Sequence, residues 1–191
     1  MPLPPPDSTA SQLLTFGKKY HTTILVDTWL QQFGTILSVI FAIALVHFAD
    51  SKENVFGKLT LLTSTVITSL SLAEGTFVLG ALQSGDNGHL ESAQTCFELS
   101  NVFIHIFLLA PSLFLMLGLA IRKSNIIPRI FVTGAIILGC LFQTLGVVAL
   151  FNDKFLLLVI VVLMLQNVWT LAASLILLAR LKKISAGMEV E

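Results

Sequence analysis

Charge is scarce in this chain. Lys, Arg, Asp and Glu make up 12% of 191 residues, 55% are hydrophobic, and the mean hydropathy is +0.89. Soluble domains carry roughly a quarter charged residues, so the surface is not built mainly for water. Eleven basic residues balance eleven acidic ones, which leaves no electrostatic footprint for nucleic acid. Two cysteines are too few for a disulfide-stapled secreted domain. HExxH, GxSxG and P-loop patterns are missing, which removes the common zinc-protease, serine-hydrolase and nucleotide-binding readings. An integral membrane protein remains.

What is present are long apolar runs. Five of them, Trp29–Ala49, Lys58–Gln83, Glu98–Ile121, Arg129–Phe151 and Phe155–Leu181, each reach the roughly 20 residues that cross a hydrocarbon core as a helix. Backbone amides in lipid must be satisfied within the segment, and FLLLVIVVLML has none of the alternation of a barrel strand. The predicted fold is therefore an all-α integral membrane bundle of five transmembrane helices, occupying residues 29–183. Residues 1–28 are expected outside the membrane. Their proline-rich start should be a solvated tail without the pattern of a secretory signal peptide. From Leu13 to Val26, the residues Leu13, Phe16, Tyr20 and Ile24 recur at helical spacing, away from Lys18 and Lys19, which predicts an interfacial amphipathic helix. Residues 184–191 form a predicted cytoplasmic tail. Pro111 predicts a kink in the third span, and Asn152, Asp153 and Lys154 leave room only for an antiparallel hairpin between the fourth and fifth.

Basic residues set the expected orientation. Lys18, Lys19 and Lys154 fall on one side. Lys52, Lys58, Arg122, Lys123, Arg129, Arg180, Lys182 and Lys183 fall on the other. Eight against three predicts a multi-pass protein of the cell membrane with its N-terminus outside and its C-terminus in the cytoplasm. The basic group needs no role beyond topology and contact with anionic headgroups.

The turn Ser124, Asn125, Ile126, Ile127, Pro128 and Arg129, the Gly-rich helix after it and the sequence LQNVWTLAASLILLARL resemble a widespread family of bacterial integral membrane proteins of undefined function. In that family a helix ends in a Ser-x-x-(Ile/Val)-Pro-Arg turn, and VITSLSLAEGTFVLGAL resembles its acidic membrane segment, with Glu74 at the acidic position. The likeness covers about Trp29 to Lys183 and implies an architecture but no activity. Family members commonly begin with a further apolar helix, whose place is taken here by the amphipathic stretch.

An acid inside a membrane costs at least about 2.5–3.5 kcal/mol on insertion scales, and Glu74 is the acid in question. It is a proton site, a ligand anchor, or a packing element bonded to a neighbouring helix. Thr60, Ser64, Ser71 and Gly75 give its helix a small, polar face. Glu98, Asn101, His105 and Ser112 mark one face of the third span. Gln143 lies between Gly139 and Gly146, and Gln166, Asn167, Thr170 and Ser174 punctuate the fifth, where Trp169 is too deep for an interfacial belt. Antiparallel directions place Glu74, His105, Gln143 and Asn167 in the outer half or near the midplane. Together with Asn101 and Trp169 they form the candidate site, either a polar pocket for a largely apolar ligand with one polar or cationic group, or a hydrogen-bond network that holds the bundle. Glu74 and His105 are the expected ionisable pair.

No cofactor or metal is expected. His47 is displaced from His105 by roughly 15 Å along the membrane normal, too far to share a haem, and no span carries the central lysine of a retinal protein. Cys140 is expected to fill core space. The expected partners are the lipid bilayer, an apolar small molecule, further copies of the chain or a larger membrane complex. The function expected is non-enzymatic: lipid-like ligand binding in the outer half, or service as an accessory subunit. A small proton-coupled transporter or channel using Glu74 and His105 is the alternative.

Overall fold

In a computed structural model, residues 9–188 are described. The first eight residues of the expected tail, and the last three of the chain, lie outside the described residues. Every regular element among the described residues is a helix: α1 (Ala10–Phe48), α2 (Val55–Asp86), α3 (Leu90–Leu109), α4 (Leu113–Ile121), α5 (Arg129–Ala149) and α6 (Leu156–Met188), with a single 3-10 turn at Asp153–Phe155. Among the described residues, five helical stretches are long and apolar enough to cross a membrane, the third formed by α3 and α4 in succession. The protein is thus an all-α, multi-pass membrane bundle.

The first helix starts well before the expected span. Helix continues from Ala10 into the apolar run, interrupted only by the non-helical backbone of Tyr20, because nothing between Tyr20 and Trp29 breaks a helix. The expected stripe is present. Leu13, Phe16, Tyr20 and Ile24 are half-buried, while Lys18 and Lys19 are exposed. The adjoining line Leu14, Gly17 and His21 faces α2: a methyl group on Gly17 would sit 3.7 Å from Leu82, Leu14 packs at Gly85, and His21 Nε2 lies 3.0 Å from Asp86 Oδ2.

Pro111 does more than kink the third span. It ends α3 and starts a new helix, α4, capped by Ser112, whose hydroxyl accepts from the Leu115 N–H at 3.4 Å. The loops close by ordinary turn chemistry. Asn54 Oδ1 accepts from the N–H groups of Phe56 and Gly57 at the start of α2, and Gly88 takes the left-handed conformation before α3. As expected, α5 and α6 form a hairpin through Asn152, whose side chain accepts from the Lys154 N–H at 3.2 Å.

The chain divides into two compact units. One takes in residues up to Ile36 with Thr68–Phe107; the other takes in Leu37–Ile67 and residues from Leu108 onward. Within the second, α4 packs on α5 and α5 on α6. α5 comes close to α4 at Gly139, where an added methyl would overlap the backbone nitrogen of Leu115. Small residues permit such backbone proximity where lipid supplies no hydrophobic drive. Gly139→Ala should therefore force α4 and α5 apart and lower stability by about 1–2 kcal/mol; unfolding in mixed micelles checks this, and an unchanged midpoint would contradict it. Cys140, expected in the core, is exposed, since the neighbouring Gly139 occupies the inward direction.

Candidate functional site

The polar residues of the first unit converge on α1 and α2. Gln31 and Gln32 are adjacent on α1 and Ser71 and Glu74 are one turn apart on α2, so two amides meet two polar side chains across the helix pair. Gln31 Nε2 donates to Glu74 Oε2 at 2.9 Å. Gln32 Nε2 donates to the Ser71 carbonyl at 2.7 Å, and the Ser71 hydroxyl lies 3.3 Å from both Gln32 Oε1 and Thr35 Oγ1. Glu74 is 9% exposed. Gly75 lets this network form: a methyl there would lie 2.8 Å from Gln32 Cδ and push the amide off Ser71.

On α3, His105 is bonded within its own helix. Its Nδ1 is 2.7 Å from the Asn101 carbonyl, so that nitrogen carries the proton and donates. Asn101 and His105 are half-buried. Rings of Phe77 and Phe103, 5.3 Å apart, pack α2 on α3, and Gly80 faces Cys96 Sγ. Glu74 and His105, the pair expected from the sequence, each bond a neutral partner.

In the second unit the remaining candidates take different roles. Gln143 Oε1 accepts from the Ser112 N–H at 3.0 Å, at the break between α3 and α4. Trp169 is buried, donates from Nε1 to the Phe131 carbonyl at 2.9 Å, and meets the rings of Phe41, Phe114 and Phe131. Gln166 is buried and donates to the Leu138 carbonyl at 3.4 Å. Asn167 is on the outward face of α6, exposed among apolar neighbours. At the end of the same unit Arg180 donates to the Asn125 carbonyl in the turn before α5.

Gln31 and Gln32 are not among the residues expected from the sequence, although an amide doublet inside an apolar run is a visible signal. On the exposed side of α1, an open surface depression is lined by Thr22, Thr23, Val26, Asp27 and Leu30. No family model matches the chain, and neither a curated protein nor a solved structure is detectably similar to it.

Proposed function

We propose that this chain is a non-enzymatic membrane protein that works by association in the bilayer, as an accessory subunit of a membrane assembly. The bond from Gln31 to Glu74 carries this reading. It engages the buried in-span acid with a neutral amide from another helix, so the carboxylate cross-links α1 and α2 rather than facing a second titratable group. The same arrangement, a neutral donor from one helix meeting an acceptor on another, recurs in Gln32–Ser71 and in Trp169–Phe131. Eight basic residues against three support insertion in the cell membrane with the N-terminus outside.

Substitution at Glu74 tests the role. Glu74→Gln keeps an acceptor for Gln31 and should leave stability and proton permeability of reconstituted vesicles unchanged. Glu74→Leu leaves the Gln31 amide without its acceptor and should cost about 0.6–1.7 kcal/mol. A proton-linked flux in the native protein that Glu74→Gln abolishes would overturn the accessory role in favour of a transporter.

A ligand-binding role draws on the open depression on the exposed side of α1. Asp27 and the hydroxyls of Thr22 and Thr23 would hold a polar or cationic head, and Val26 and Leu30 an apolar chain. Native mass spectrometry of the gently solubilised protein would then show an adduct of fixed mass that Asp27→Asn removes.

A further inference from the structure

Asn167 sits where hydrocarbon should be. It lies about 17 Å along the α6 axis from Leu156 and about 20 Å from Arg180, the two ends of the fifth span, hence near the middle of the bilayer. Its side chain is exposed and makes no hydrogen bond among the described residues. Gln166, one residue earlier, turns inward to the Leu138 carbonyl. An amide left unpaired in lipid is costly, and the hydrocarbon core offers no water to relieve it. By contrast, the outward threonines at 65 and 76 return their hydroxyl protons to carbonyls one turn back on their own helix, which the short asparagine does not do here.

The residues around it form a pattern. Ile160, Met164, Asn167, Leu171, Ser174 and Leu178 follow one another at alternating steps of four and three, the seam spacing of two helices packed side by side. All lie outside the buried face formed by Val159, Val162, Gln166, Trp169, Ala173 and Leu177. Ser174 is small and already donates to the Leu171 carbonyl at 2.8 Å, so Asn167 is the member of the seam that needs an outside partner.

We propose that this seam is the interface of a parallel homodimer, with Asn167 of one copy bonded to Asn167 of the other. A carboxamide carries both a donor and an acceptor, so two of them satisfy each other reciprocally. Copies inserted in the same direction are related by a two-fold axis along the bilayer normal, which places identical residues at identical depth. A second copy therefore brings the required amide to the required level with no further condition. One asparagine within an apolar seam also fixes register and favours two strands. The inference rests on the membrane-spanning fold and not on the accessory role proposed above.

The test uses the full chain in lipid vesicles, with subunit number counted by single-molecule photobleaching over a range of protein densities. Dimers are expected, and Asn167→Leu should raise their dissociation constant about three- to twentyfold while the unfolding of the monomer stays unchanged. In a background lacking Cys96 and Cys140, cysteines at Met164 or Leu171 should cross-link copies, and one at Leu165, turned away from the seam, should not. Monomers at every density, dimers indifferent to Asn167→Leu, cross-linking at Leu165 but not Met164, or a different protein held at the seam would each overturn the proposal. None of these outcomes reads proton flux, so the accessory role stands or falls separately.

Discussion

Trp169→Ala is expected to destabilise the protein by about 3 kcal/mol, at the low end of the range for deleting a buried aromatic. The indole on α6 is 8% exposed, and its ring lies 6.2 Å from Phe41 of α1, 5.2 Å from Phe114 of α4 and 6.1 Å from Phe131 of α5. One side chain thus meets three other helices of its unit. In a bilayer the transfer part of the penalty falls away, because lipid tails are as apolar as the protein interior. What remains is the void, whose lining atoms forgo the dispersion attraction of the indole. Trp169→Phe separates the ring from its hydrogen bond: it keeps most of the bulk and gives up the donor to Phe131, at a cost of about 0.5–1.5 kcal/mol. Unfolding in mixed micelles measures both. A loss below about 1 kcal/mol for the alanine variant would mean that neighbouring rings collapse into the space and that Trp169 does not clamp the helices.

The spans are legible in the sequence because a run of twenty apolar residues has few alternatives in lipid. Side-chain direction is not. Gln166 and Asn167 differ by one position, about 100° on a helix, yet one is buried and the other exposed. On α6, apolar residues surround both, so no stripe tells which face is inward until α5 is in place. Cys140 eludes the pattern for the same reason, since the inward direction is already taken by Gly139. Gln31 and Gln32 are visible as a doublet, but their role is not, because their partners Glu74 and Ser71 are 43 and 39 positions away; the sequence points to the acid on α2 but not to which amide meets it. Pro111 announces a disturbance, while Ser112 after it looks like one more member of a polar stripe. Its actual role as a helix cap depends on α3 having stopped at Leu109, which a proline permits but does not require.

That break leads to the second large effect, expected at Gln143. Where α3 stops and α4 starts, the N–H of Ser112 has lost its partner in the helix, and Ser112 is 1% exposed. Gln143 Oε1 on α5 accepts it at 3.0 Å. Gln143→Leu leaves a buried backbone donor with neither protein nor water to receive it, which should cost about 2–3 kcal/mol. The loss should depend on the proline. Pro111→Ala restores a backbone donor and removes the ring that excludes continuous helix, so Ser112 regains the option of bonding to the Leu108 carbonyl. In that background Gln143→Leu should cost less than about 1 kcal/mol, giving a coupling of about 1–2 kcal/mol in a double-mutant cycle. Equal losses in both backgrounds would show that Gln143 stabilises the protein by some route other than the broken helix. A coupling of the expected sign would show that the proline and the glutamine act as one device, the first opening the helix in mid-span and the second receiving the backbone donor that the opening leaves.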